Sequence, residues 1–211
     1  MHAATAWYHE QRGRRVCEQL RRRNFDAYYV PDRAQALVKV LELIPADARV
    51  GFGGSMTLEE IGVIKALQER GNELITKPHA RGAERIAQRR QALLSDVFLT
   101  STNAVTLDGI LVNVDALGNR VGAMAFGPRQ TVMVFGVNKI VADLEAALHR
   151  AQTIASPINA KRLNRTTPCT VTGECSDCNS PDRICNITTI IERRPLETEF
   201  AIVVVGEALG F

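Results

Sequence analysis

Four cysteines, Cys169, Cys175, Cys178 and Cys185, follow one another at the spacing C-x5-C-x2-C-x6-C, and the only other cysteine of the chain is Cys17. A single C-x2-C arises readily by chance, whereas four thiols in so short a run form a donor set that can converge on one centre. Four thiolates hold either a structural zinc or a [4Fe-4S] cluster, and spacing alone does not separate the two. Zinc sites more often show two C-x2-C knuckles. Two disulfides, or free redox-active thiols, are the readings without a metal. A cluster would be oxygen-sensitive, so aerobically prepared protein is expected to be empty or oxidised.

A second group of residues suits a small ligand. Gly51-Phe52-Gly53-Gly54-Ser55-Met56-Thr57 has the texture of a turn from a strand into a helix, where glycines let the backbone approach a ligand and the first helical amides are unpaired donors. No lysine follows the glycines as in a P-loop, and the dinucleotide fingerprint is absent. Thr57 and Glu60 read as a capping box, and Glu59 and Glu60 put negative charge where a phosphate would sit, so a self-capped tight turn is the structural alternative. Further along, Asn103 and Asp108, Asn119 and Arg120, and Asn138 and Lys139 each follow an expected strand end. Open parallel sheets bind ligands at the carboxyl ends of their strands. Asparagine and aspartate beside glycine are also ordinary turn formers, which accounts for part of this pattern.

These residues need a scaffold, and hydrophobic periodicity supplies one. A long amphipathic helix is expected first, with Trp7, Val16, Leu20 and Cys17 inward, then a strand at 25–30 and a helix that Asp32 caps and Pro45 stops. Strands at 49–52, 73–76, 97–100, 131–135 and 200–205 alternate with helices carrying Leu58, Ile61, Ile64 and Leu67, then residues 83–94, then 142–155 with Leu144, Ala147, Leu148 and Ala151 inward. Residues 103–125 read as short β runs, a hairpin inserted at the carboxyl edge of the sheet, and the last helix is expected to end before Pro157. The fold class is therefore α/β, a mostly parallel open sheet with helices on both faces. Residues 1–30 form an N-terminal helix and lead-in strand, and 31–211 the α/β domain, including a cysteine-rich, loop-like insertion at 159–187.

At 211 residues, 45% hydrophobic and 23% charged, the chain can bury a large core. Residues 1–10 lack the apolar stretch of a secretory signal, and no run approaches the roughly 20 apolar residues of a membrane span, so a soluble, cytoplasmic protein is expected. The same setting argues against stable disulfides. A net charge of +3 implies no polyanion partner. Six arginines between Arg12 and Arg23 are the one hint of nucleic acid, and they read better as the solvated face of the first helix, without aromatic interleaving.

The order of Gly53-Gly54-Ser55-Met56-Thr57-Leu58-Glu59-Glu60-Ile61-Gly62, Asn103-Ala104-Val105-Thr106-Leu107-Asp108-Gly109, Gly118-Asn119-Arg120-Val121 and Gly136-Val137-Asn138-Lys139-Ile140-Val141 resembles the LUD domain family, the lactate-utilization proteins of the LutC type. The resemblance implies a fold like that of ribose-5-phosphate isomerase, glucosamine-6-phosphate deaminase and CoA transferases, and a part in oxidising lactate to pyruvate alongside iron-sulfur partner proteins. It makes Gly53, Gly54, Ser55, Thr57, Asn103, Asp108, Asn119, Arg120, Asn138 and Lys139 candidate ligand-binding residues for a small carboxylate or phosphorylated metabolite. Related isomerases carry a catalytic aspartate where this chain reads Ser101-Thr102-Asn103; asparagine is no general acid or base, which leaves Asp108 as the catalytic candidate. The lactate context favours iron-sulfur over zinc at Cys169, Cys175, Cys178 and Cys185. The alternatives are a transferase or isomerase acting on a phosphorylated or CoA-linked metabolite, and a non-catalytic regulatory binder. The sequence leaves room for a homo-oligomer.

Overall fold

The computed structural model describes residues 2–76 and 80–211, so Met1 of the expected lead-in segment lies outside the described residues. The chain opens with α1 (Ala3–Arg22), β1 (Asp26–Val30), α2 (Arg33–Leu43), β2 (Val50–Phe52), α3 (Met56–Glu60), α4 (Val63–Arg70), α5 (Gly82–Ala92) and β3 (Val97–Thr100). There follow β4 (Ala104–Thr106), β5 (Leu111–Asp115), α6 (Asn119–Ala125), β6 (Gln130–Gly136), a 3-10 turn (Val137–Lys139) and β7 (Ile140–Val141). The last part runs through α7 (Leu144–Arg150), a π-helical turn (Ala151–Ala155), α8 (Ser156–Arg162), α9 (Cys169–Thr172), β8 (Ile187–Ile191) and β9 (Glu199–Val205).

Five strands pair in parallel in the order β1-β9-β6-β3-β2. The central strands are apolar on both faces, as a doubly covered parallel sheet requires. Along β9, Ala201, Val203 and Val205 face α2, α3 and α4, while Phe200, Ile202 and Val204 face α1 and α6. The expected α/β class is thus realised. The hairpin β4–β5 does not join this sheet: with β7 and β8 it forms a second, mixed sheet in the order β7-β4-β5-β8. Val105 and Leu111 of that second sheet pack into the same core as α1.

The departures from periodicity have local causes. Val16, Cys17 and Leu20 are buried as expected, but Trp7 is 62% exposed, since the buried residues of α1 all lie in its second half, from Gly13 to Leu20. Nor are the arginines of α1 only a solvated face. Arg12 donates to the Ile140 carbonyl (2.9 Å), Arg21 to that of Ala27 and Arg23 to that of Asp108, stitching the helix to the body. The helix expected through Leu58 and Leu67 breaks into α3 and α4 at Gly62, whose φ of 72° is left-handed backbone. The strand expected at 73–76 shrinks to one bridge between Val50 and Leu74, since the Phe52 amide is taken by the Thr76 hydroxyl (3.2 Å) instead of a ladder partner. Residues 119–125, read as part of a β run, are helical because the Asp115 carboxylate accepts the first amides of α6, from Arg120 (3.1 Å) and Val121 (3.0 Å). Pro157 does not end its helix. The π turn widens the ladder ahead of it and places Pro157 in the first turn of α8, where no N–H is needed. Of the residues expected inward there, Ala147 and Ala151 are fully buried, Leu144 packs beside them and Leu148 is half-exposed.

Candidate functional site

Parallel order brings the carboxyl ends of β2, β3, β6 and β9 side by side, and the segment after each one carries polar residues. After β2 come Gly53, Gly54, Ser55 and Thr57; after β3, Ser101 and Asn103; after β6, Asn138 and Lys139; after β9, residues 206–211.

Lys139 lies at the centre and is 3% exposed. Its Nζ donates to Thr57 Oγ1 (3.1 Å) and Ser101 Oγ (3.0 Å). Among the described residues no carboxylate lies within ion-pair distance of it. Burial, reinforced by the guanidinium charges of Arg150 and Arg120, brings the Lys139 ammonium down to about 7, with Glu60 the one opposing influence. An amine held this way exchanges its proton near neutrality.

Arg120 flanks this centre with every donor engaged. Its Nε reaches Asp115 Oδ1 (2.8 Å), Nη1 the Ser101 carbonyl (2.7 Å) and Asn113 Oδ1 (2.9 Å), and Nη2 Asn103 Oδ1 (2.8 Å) and the Val114 carbonyl (3.0 Å). All five N–H groups of the guanidinium are thereby used, so Arg120 supplies charge and locks the loops together. On the other side Arg150, buried on the last turn of α7, donates through Nε to the Asn138 carbonyl (3.2 Å) and through Nη1 to that of Asn103. Desolvation lowers its pKa.

Residues 209 and 210 cover the centre. Asn138 Oδ1 accepts the Leu209 amide (3.1 Å) and its Nδ2 donates to the Gly210 carbonyl (3.1 Å), while Glu60 accepts the Gly210 amide (3.1 Å) and the Thr57 hydroxyl donates to the Leu209 carbonyl (3.3 Å). Gly210 has a φ of 57°, and a Cβ there would stand 2.6 Å from Thr57 Oγ1, so only glycine lets the backbone pass this close.

The expected site residues are thus sorted by the fold. Thr57, Asn103, Arg120, Asn138 and Lys139 come together. Gly53 packs against the Arg120 side chain and Gly54 faces Arg162. Ser55, not Thr57, is the N-cap of α3, its hydroxyl accepting the Leu58 amide (3.4 Å), and this frees Thr57 for Lys139. Asn119 opens α6, partly exposed. Asp108 stands apart at the tip of the β4–β5 hairpin, where its carboxylate takes Arg23 of α1 (2.9 Å) and the Thr106 hydroxyl. Ser101, Asp115, Arg150 and Gly210 complete the site without having been singled out. A signal existed for Arg150, a charge three residues after inward Ala147 and so on the apolar stripe of its helix.

The four clustered cysteines also meet. Cys169 on α9, with Cys175, Cys178 and Cys185 of the following loop, lines one narrow cleft of ≈ 20 Å³ against Pro157 and Ala160 of α8. All are free thiols. Burial pushes the Cys185 thiol up, against the pull of Arg183, with Cys175 and Cys178 adding to the rise. Among the described residues no three His, Cys, Asp or Glu side chains are drawn together closely enough to hold a single metal ion. Cys17 is separate, a buried core thiol that desolvation pushes up to about 12.

Fold and site together define an α/β protein with a mostly parallel sheet and its polar residues gathered where the parallel strands end. Residues 13–205 match the sequence profile of the LUD domain, and the chain belongs to that family. A crystal structure of a DUF162 family protein from Deinococcus radiodurans shares the fold, with a TM-score of 0.51 over 93% of this chain and 98% of that one, at 10% identity. Among curated proteins none matches this chain. Among the described residues no helix is long and apolar enough to cross a membrane.

Proposed function

We propose that the chain is a cytoplasmic lactate-utilization subunit, taking part in the oxidation of lactate to pyruvate beside iron-sulfur partner proteins, and that it binds the small carboxylate at Lys139. The observation that carries this reading is charge imbalance. Lys139 and Arg150 are buried and Arg120 largely so, three cations in one region, and the carboxylates bonded there are both committed, Asp115 to Arg120 and Glu60 to the Gly210 amide. Leaving a buried ammonium with two hydroxyls and no counter-ion is unfavourable, and a monocarboxylate supplies the missing charge. The Thr57 and Ser101 hydroxyls, already on Nζ, are placed to orient it. Residues 209–210 must lift to admit it.

The Gly-rich turn offers a phosphate less. The Ser55 hydroxyl is engaged in capping, and the helix that follows is only five residues long.

A carboxylate beside Lys139 restores its proton, so binding takes up protons from buffer at pH 7 to 8. Titration calorimetry with L-lactate, D-lactate, pyruvate, a sugar phosphate and coenzyme A, in two buffers of different ionisation heat, tests this. We expect lactate or pyruvate to bind with a buffer-dependent enthalpy that Lys139→Met removes. Binding of the phosphorylated ligands alone would overturn the reading in favour of a transferase or isomerase, and binding of none of the five would overturn it outright.

A further inference from the structure

The amine of Lys139 is arranged as a nucleophile as well as a cation. An ammonium has three N–H donors, and Nζ gives two of them to Thr57 Oγ1 (3.1 Å) and Ser101 Oγ (3.0 Å). The third has no acceptor among the described residues, and on the neutral amine that position is the lone pair. Burial and the guanidiniums beside it bring the group down to about 7, Arg150 on α7 acting more strongly than Arg120 on α6, and Glu60 on α3 opposing both. Desolvation and a neighbouring cation are what make a lysine reactive toward a carbonyl carbon. Gly210 lies over the amine, a Cβ built on it standing 3.4 Å from Nζ, so the lifting of residues 209–210 that admits a ligand also uncovers the lone pair.

Arg150 supplies a second fixed point. Arg120 spends all of its N–H groups on protein acceptors, whereas Arg150 bonds only the carbonyls of Asn138 (3.2 Å) and Asn103, and its Nη2 has no hydrogen-bond partner among the described residues. The side chain is buried, and among the described residues no carboxylate pairs with it. A guanidinium fork with donors to spare suits a carboxylate. An amine for a carbonyl carbon, next to a guanidinium for an adjoining carboxylate, describes a 2-oxo acid.

We infer that Lys139 captures a 2-oxo acid of the pyruvate class as a covalent imine, with the carboxylate of the ligand held by Arg150. The inference rests on the reading that a small carboxylate reaches Lys139, and adds to it a bond. The neutral Nζ adds to the ketone carbon and forms the C–N bond. The C=O bond then breaks, and its oxygen leaves as water with one proton from Nζ and one from solvent, with no change of oxidation state. The iminium nitrogen carries the same single positive charge as the ammonium, so the carboxylate keeps its counter-charge after the bond has formed. Lactate has a hydroxyl in place of the ketone and binds without the bond.

The test is reductive trapping. The full chain is incubated with pyruvate, acetone or L-lactate in the presence of cyanoborohydride, digested, and its lysine peptides are weighed by mass spectrometry. With pyruvate we expect a reduced adduct at Lys139, formed about tenfold faster than at the exposed Lys65 and Lys161, and slowing as the pH is lowered below about 7. Acetone, which lacks the carboxylate, should label Lys139 about tenfold more slowly than pyruvate does, and lactate should not label it. Lys139→Met should show only the slow labelling of the exposed lysines. Labelling of Lys139 no faster than that of Lys65, or as fast with acetone as with pyruvate, would overturn the inference. Calorimetry on the same protein separates the two readings: pyruvate that binds without being trapped overturns the imine alone, and pyruvate that neither binds nor is trapped overturns both.

Discussion

Replacing Lys139 by methionine keeps most of the side-chain volume and removes the amine, which turns the burial of this group into a measurable slope. In the unfolded chain the amine titrates near 10.5 and in the native fold near 7. Between those values the unfolded state holds more protons, so stability rises with pH across the window; below pH 7 both states are charged and the burial penalty is fully present. The full window corresponds to about 5 kcal/mol, and roughly 3 kcal/mol of it is recovered between pH 6.5 and pH 9.5. Losing the bonds to Thr57 and Ser101 costs about 1 kcal/mol each at any pH. The methionine variant should therefore be more stable than wild type at pH 6.5, by about 3 kcal/mol, and level with it or slightly less stable at pH 9.5. Urea unfolding followed by circular dichroism at both pH values measures the difference. The same wild-type-to-variant gap at pH 6.5 and 9.5 would refute the account of a buried, unpaired ammonium.

Asp115→Asn keeps an acceptor for the first amides of α6 but strips the largely buried Arg120 of its counter-charge; a loss of about 3 kcal/mol is expected, seen as a fall in Tm of about 10 °C, and an unchanged Tm would show that Arg120 does not depend on the pair. Gly210→Ala adds a Cβ that meets Thr57 Oγ1 at 2.6 Å on left-handed backbone, so hydrogen exchange at the Leu209 amide should quicken about tenfold, and unaltered protection would mean that residues 209–210 are not held as described. Asp108→Asn breaks an ion pair whose carboxylate is 57% exposed, and it should change stability by less than about 1 kcal/mol and leave carboxylate affinity intact; a clear loss of affinity would return Asp108 to the site.

Much of the scaffold was legible because periodicity survives without tertiary knowledge. Asp32 caps α2 by accepting the Gln35 amide, and the strand at 131–135 is fully buried, both as the residue pattern indicates. What local pattern missed was decided by partners distant in sequence. Residues 119–125 have weak helical texture, and the carboxylate that caps them sits on β5. Capping at the Gly-rich turn moved two residues because Ser55 could serve, and Thr57 was then claimed by Lys139. Asp108 and Asn103 look alike in sequence, each polar and just past a strand end, yet one faces α1 and the other the site.

By itself the sequence determined the α/β alternation of strands and helices, the polar residues that follow strand ends, and the run of four thiols, since residue type and spacing carry these. Only the tertiary structure decided which cation lacks a carboxylate partner among the described residues. Arg120 and Lys139 are both basic residues after strand ends, and the folded loops consume every donor of the first while leaving the second buried without a carboxylate. Saturation and desolvation are properties of the packed surroundings, which no stretch of the chain contains alone.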